Sequence, residues 1–166
     1  MIRPLDVNVA DDLEAVARIY NHYIINTAIT FEELPIDADI IRTRVEKVTA
    51  AGLPWLIAEQ NGEVIGYAYA APWRERSAYR FSVEVSAYLD KDQTGNGWGT
   101  RLFEELFARL RQCSIHVAIG GITLPNAASV ALHEKFGMTK VAHYPEVGYK
   151  FERWLDVGYW QVILAE

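Results

Sequence analysis

An alternating apolar stretch, Phe81 to Leu89, leads within a few residues into Gln93-Thr94-Gly95-Asn96-Gly97-Trp98-Gly99-Thr100, and an amphipathic pattern follows. No other segment restricts the fold as strongly. Three glycines at alternate positions let a backbone turn tightly and expose its N–H groups, and the helix behind them points its partial positive end at the same spot. A strand, a glycine turn and a helix N-terminus together can hold a phosphate or pyrophosphate without any basic side chain. The residues alone leave a second reading open, a strand-to-helix turn with no ligand. A dinucleotide fingerprint fits less well. It belongs to the first βα unit with an acid about 20 residues on; here the triplet follows three antiparallel-looking strands, and residues 115–122 hold no acid.

The rest of the chain sets the frame. A length of 166 residues suits one domain, 1–166, with a sizeable core. Sixteen basic against 22 acidic residues give a formal charge of −6, which argues against a broad nucleic-acid surface, so an anion site must be local. The one cysteine, Cys113, excludes an internal disulfide and is expected to be a small packed side chain. Four histidines without metal-ligand spacing predict no metal. The start, Met1-Ile2-Arg3-Pro4-Leu5-Asp6, has no apolar leader, and nowhere do 18 apolar residues run together. The expectation is a cytoplasmic protein without a membrane segment.

Periodicity orders the elements. A strand is expected near residues 2–5. Asp11 and Glu14 resemble a capping box ahead of Leu13, Val16, Ala17, Tyr20, Tyr23 and Ile24. A second helix starts at Asp37 or Asp39 and stops at Gly52 and Pro54. Residues 55–58 and 64–70 form a hairpin around Asn61-Gly62. After the 81–89 strand come a helix with Leu102, Phe103, Leu106, Phe107 and Leu110, a strand at 116–122, a short helix at 126–136 and strands near 139–143 and 154–164. The order β-α-α-β-β-β-α-β-α-β-β is that of an α/β or α+β fold with a mixed sheet.

A strand, a Q/R-x-x-G-x-G/A loop and a helix, then a strand, an Asn and a short helix, resemble the GNAT acetyltransferase superfamily. The loop here reads Thr94-Gly95-Asn96-Gly97-Trp98-Gly99, with Thr94 where the family has Gln or Arg. Ala70-Ala71-Pro72-Trp73-Arg74, Tyr79, Glu84, Leu124-Pro125-Asn126, Leu132-His133-Glu134, Gly148-Tyr149-Lys150 and the ending Trp154 to Gln161 are similar to the phosphinothricin / methionine sulfoximine N-acetyltransferase branch. So is Asn21-His22-Tyr23-Ile24, and the resemblance spans nearly the whole chain. It implies a single GNAT domain with a mostly antiparallel, splayed sheet, acetyl-CoA as co-substrate, a small amino acid as acceptor, and a homodimer. Gly95, Asn96, Gly97, Trp98, Gly99 and Thr100 would then hold the pyrophosphate, and the backbone of Ala87, Tyr88 and Leu89 the pantetheine arm. Asn126, which would cap the short helix in any case, would also bond that arm, with Ser129 one turn on.

Acetyl transfer to an amine needs a base for the amine, polarisation of the thioester carbonyl and a route for the thiolate to leave. Glu84 is the candidate base. Ser82, Glu84, Ser86 and Tyr88 share the polar face of an otherwise apolar strand, where an acid is uncommon unless paired or functional. An arginine-paired Glu84 on a half-exposed face is the alternative; the resemblance favours the base. His133 stands where many GNAT enzymes have a Tyr thought to protonate the thiolate. A structural imidazole or a cofactor contact would account for it equally. His22, His116 and His143 have weaker claims.

Arg74, Arg76 and Arg80 crowd one loop of an acidic chain. Guanidinium forks bind carboxylate, phosphinate or sulfoximine oxygens. Phe31, Tyr79 and Trp73 could supply apolar walls for a short side chain. By resemblance Phe31, Arg74 and Arg76 lie near the acceptor; Glu75, Glu84, Val85 and Ser86 are expected beside it, with Lys150 shaping the pocket from a late strand or a partner subunit. The tail aromatics Trp154, Tyr159 and Trp160 are expected in the core or a dimer interface. The expected activity is transfer of acetyl from acetyl-CoA to the α-amino group of an amino acid or analogue. Its rivals are an acetyltransferase for a polyamine, which the arginine loop disfavours, or for a peptide N-terminus, which needs an open groove, and a non-catalytic acyl-CoA sensor.

Overall fold

The computed structural model describes residues 1–164. The order is β1 (Ile2–Pro4), α1 (Ala10–Asn26), α2 (Ala38–Ala50), β2 (Trp55–Gln60), β3 (Glu63–Pro72), β4 (Ser82–Leu89), α3 (Trp98–Gln112), β5 (Val117–Leu124), α4 (Ala127–Lys135), β6 (Thr139–Lys150) and β7 (Arg153–Ile163). A one-turn 3₁₀ segment, Ser77–Tyr79, precedes β4. The seven strands form one sheet in the order β1-β2-β3-β4-β5-β7-β6. Among the described residues only β4 and β5 run parallel. This is the mixed α/β sheet expected from the sequence. Among the described residues no helix is long and apolar enough to cross a membrane.

Helix α3 owes its place to a stripe of Leu102, Phe103, Leu106, Phe107 and Leu110, all at most 2 % exposed. Each such side chain contributes about 1.5–3 kcal/mol on burial. The stripe covers one face of β2–β4, while α1 and α2 cover the other. Beyond β4 the α1–α2 loop reaches over part of that second face, with the Phe31 ring on Gly148 of β6.

Several local expectations are corrected. Helix α1 starts at Ala10 with Val9 as N-cap and no capping side chain, so Asp11 and Glu14 form no capping box. The reason is tertiary: Asp12 is buried and accepts both forks of Arg3, at 2.8 and 2.9 Å, plus the Asp6 N–H. Burial pushes the Asp12 carboxyl up, but the Arg3 guanidinium and the Asp6 N–H outweigh it and the net shift is downward. Helix α2 is capped by Asp37, whose side chain accepts from Ile40 N–H. Cys113 is not packed; it is exposed at the end of α3. Strand β6 continues to Lys150 through two register shifts, well past the expected 143, and turns into β7 at Phe151-Glu152.

Candidate active site

The ladder between β4 and β5 covers only Ser82–Glu84 against Val117–Ile119. Past Glu84 the two strands diverge into a cleft. Val85 to Tyr88 line one side, Gly121 to Thr123 the other, with Asn126, Ser129 and His133 from α4 and Ile29 from the α1–α2 loop. The backbone groups that face this cleft follow from register. Asp90 N–H donates to the Ile65 carbonyl and Trp73 N–H to the Ser82 carbonyl. Bonded and non-bonded pairs alternate in an antiparallel ladder, so the β3–β4 register turns the backbone groups of Glu84, Ser86 and Tyr88 toward β3. Those of Val85, Ala87 and Leu89 turn toward β5. The bond from Leu164 N–H to the His116 carbonyl likewise turns the groups of Gly121 and Thr123 toward β4. Of these, the Leu89 carbonyl accepts from the Tyr23 hydroxyl. The cleft is therefore walled by main-chain donors and acceptors, as a molecule carrying amides of its own requires. β3 and β4 pair without a register shift, so this alternation holds along the whole of β4.

The glycine turn closes the mouth of the cleft. Gly95 and Gly97 have φ of 80° and 83°, and Gly97 is the N-cap of α3. A Cβ at either would meet nothing within 4 Å, so it is the backbone angle, not space, that demands glycine. A Cβ on Gly99 would lie 3.5 Å from Leu132 of α4 and 4.0 Å from Leu89. Asn96 is exposed, and Trp98 is buried under the Arg101 guanidinium at 4.0 Å. The Lys135 ammonium stands 3.4 Å from the Thr100 hydroxyl, a cation beside the helix N-terminus that sequence reasoning passed over. An acid-free first turn of α3 adds to its fitness for phosphate.

Asn126 caps α4, its side-chain oxygen accepting from Ser129 N–H at 3.1 Å. Its amide NH₂ has no partner among the described residues. His133 is 6 % exposed, with Nδ1 2.7 Å from the Ser129 carbonyl, so Nδ1 carries the proton. Burial pushes its pKa down against the raising effect of that hydrogen bond. Its ring rests on Gly120, where a Cβ would collide with it, and edge-on against Phe103.

Glu84 sits half-buried at the fork of the sheet, between Ala71 of β3 and Ile119 of β5. Burial raises its pKa and the Arg74 guanidinium opposes this. On the same face, a pocket of about 290 Å³ is lined by Trp73, Arg74, Ile119, Val147, Tyr144 and Tyr159 among others. Tyr159 packs edge-on against Trp73 and Tyr144, at 5.5 and 5.7 Å. It was expected in the core or an interface. Its signal in the sequence was the pair Gly120-Gly121 within a strand, which marks close approach on both faces: His133 on one, the Tyr159 ring, 3.0 Å from a Cβ at Gly121, on the other.

The other expected acceptor residues divide. Ser86 and Val85 lie on the cleft wall. Phe31 is 40 % exposed and its ring covers Gly148 of β6, next to Val147. Lys150 is 2 % exposed and donates to the Thr30 carbonyl at 2.8 Å, so it acts on the pocket from behind, by holding the loop that carries Phe31. Thr30 in turn meets the Tyr20 hydroxyl, which also bonds Glu32, itself held by both forks of Arg44. Glu75 and Arg76 border a larger groove on the far side of Arg74. Tyr79 lines none of these cavities and stands 41 % exposed on the 3₁₀ turn. Among the described residues no three His, Cys, Asp or Glu side chains converge as a metal site.

The acetyltransferase (GNAT) domain family matches residues 7–158. The L-amino acid N-acyltransferase MnaT of Escherichia coli is 41 % identical over 155 residues, 93 % of this chain and 90 % of its own. The phosphinothricin N-acetyltransferase of Alcaligenes faecalis is 42 % identical over 151 residues, 88 % of this chain and 75 % of its own. A Salmonella typhimurium acetyltransferase solved with its cofactor acetyl-CoA superposes with a TM-score of 0.95 at 38 % identity, covering 100 % of this chain and 94 % of that one. The cleft's main-chain walls and the glycine cradle at its mouth fit that cofactor's amide-bearing arm and pyrophosphate. The chain belongs to the GNAT family and is an acetyl-CoA-dependent N-acetyltransferase.

Proposed function

We propose that the protein acetylates the α-amino group of a small amino acid or analogue of the phosphinothricin, methionine sulfoximine or methionine sulfone type, with Glu84 as general base. The observation that carries this is the position of Glu84: a half-buried carboxylate at the last rung between β4 and β5, facing Arg74. The acceptor lies in the pocket of Arg74, Trp73, Tyr144 and Tyr159, its carboxylate on the Arg74 fork. An α-ammonium is mostly protonated near neutral pH. Glu84, its pKa raised by burial, takes that proton directly or through water. The freed amine attacks the thioester carbonyl, whose oxygen accepts from a cleft-facing N–H of Ala87 or Leu89. The tetrahedral intermediate expels the thiolate as the nitrogen gives its second proton to solvent, and the thiolate takes a proton from solvent. His133, neutral and with its Nδ1 proton already shared, forms the cleft wall, and Asn126 offers its free amide to the arm.

CoA-thiol release from acetyl-CoA tests this with methionine sulfoximine, phosphinothricin, the common amino acids and spermidine. Rapid release with the first two and little with spermidine is expected. Equal release with spermidine would remove Arg74 as the specificity element.

We further propose a homodimer through the aromatic pair that Tyr149 of β6 and Trp154 of β7 form on the sheet face opposite Phe31. Their rings lie 4.7 Å apart and are 55 % and 64 % exposed. Sedimentation should give a dimer that Trp154→Glu weakens; a monomer at micromolar concentration would remove it.

A further inference from the structure

Arg74 and Trp73 belong to two cavities at once. One is the small acceptor pocket. The other is a groove of about 820 Å³ between α2 and the β3–β4 loop. Glu84 stands on the saddle between them: its β5 partner Ile119 lines the first, its β3 partner Ala71 the second. A free amino acid occupies only the small pocket, and the larger volume suits a drug-sized ligand.

The groove has a definite chemistry. Tyr69 and Trp55, stacked at 4.0 Å, line it. Trp55 keeps a buried indole N–H with no acceptor among the described residues. Lys47 and Arg76 stand on the walls without an ion pair among the described residues, against one acid, Glu75. Arg44 is already neutralised by Glu32. The result is a local excess of positive charge in a chain of net charge −6. A peptide acceptor has this pattern in reverse. Its amine must lie at Glu84, but each added residue moves its terminal carboxylate about 3.3–3.6 Å farther away. That takes it beyond Arg74 and toward Arg76 and Lys47, and it brings carbonyl acceptors along.

We infer that the enzyme also acetylates the N-terminal amine of di- and tripeptides, most effectively those with an acidic residue after the first, and that this groove holds the remainder of the chain. The step is the one described above. The peptide nitrogen bonds the acetyl carbon, the C–S bond breaks, the nitrogen gives its first proton to Glu84 and its second to solvent, and the CoA thiolate is protonated by solvent. The proposal rests on the assignment of Glu84 and the cleft.

The test measures acetyl-peptide formation with free methionine sulfone and with dipeptides that have methionine sulfone first and glutamate or lysine second. Turnover of both dipeptides is expected, with kcat/KM about fivefold higher for the glutamate form. Lys47→Glu should remove that preference while free methionine sulfone stays within about twofold, and Lys47→Arg should restore it. Turnover of the free amino acid alone overturns this proposal and leaves the preceding one standing. Turnover of neither acceptor overturns both. Equal loss for free and dipeptide acceptors in Lys47→Glu overturns the groove's role.

Discussion

Glu84→Gln should lower kcat by about 10²–10⁴, the range that a positioned general base contributes. The KM for acetyl-CoA should stay within about twofold, because the cleft presents main-chain groups of Val85, Ala87 and Leu89, which the substitution leaves in place. The pH profile supplies the sign. Burial holds Glu84 above its ordinary value despite Arg74, and the base works only when ionised. In the parent enzyme kcat/KM should therefore fall as pH drops through that raised pKa, and the variant should lack this limb. Stability moves the other way. A carboxyl whose folded pKa is raised loses its proton less readily folded than unfolded, so at neutral pH its ionised form destabilises the fold. Removing it should leave the melting temperature equal or higher, a cost the native chain carries at its reactive centre. A variant with full kcat and an unaltered profile would sink Glu84 as base.

The second large effect is expected at Gly97. Gly97→Val places a β-branched residue at φ 83°, where the strain costs about 1–3 kcal/mol. For a chain of this size that lowers the melting temperature by roughly 2–4 °C per kcal/mol. Its Cβ meets no atom within 4 Å, so the loss is entirely one of backbone. Relief of that strain by a change of φ would turn the N–H groups of Trp98 and Gly99 off a common centre. A hydrogen bond to a charged group contributes about 1.5–3 kcal/mol, so the KM for acetyl-CoA should rise roughly 10–100-fold while the acceptor KM changes little. Gly99→Ala is the control, since its Cβ makes an ordinary contact with Leu132. The melting temperature should not fall there, Ala being the better helix former by about 1 kcal/mol. A Gly97→Val enzyme with unchanged acetyl-CoA KM would show that the turn does not hold the pyrophosphate.

Legibility in the sequence followed how local each determinant is. Strand β4 and helix α3 could be read because one alternates cleanly and the other keeps Leu102, Phe103, Leu106, Phe107 and Leu110 on a single stripe. The hairpin at Asn61-Gly62 was readable because positive φ at both positions, 52° and 80°, is written in those residue types. The full length of β6 was not. Its register shifts between Lys140 and Ala142 and between Tyr144 and Gly148 break the period of two, and its closing turn uses positive φ at Phe151 and Glu152, which carry no such signature. Asp12 was opaque for another reason: nothing local sets it apart from Asp11 beside it, and the Arg3 that claims it lies nine residues earlier. At the candidate site, Glu84 stands out in the sequence because its charge contradicts its strand. Tyr159 and Lys135 were harder to place, because each matters through a neighbour distant in the chain: Gly121, whose doubled glycine is the one mark in the sequence, for the first, and Thr100 for the second.

The three-rung junction between β4 and β5 makes acetyl-CoA something more than a passenger. Without it, the amides of Ala87, Leu89, Gly121 and Thr123 are a sheet edge inside the molecule, lacking a neighbouring strand. In the binding mode proposed above, the pantetheine arm, with two amides of its own, would take the place of that strand. The two halves of the one sheet are joined at the fork by those three rungs alone, and an acyl donor held there would add main-chain bonds across the seam that the chain itself leaves unmade.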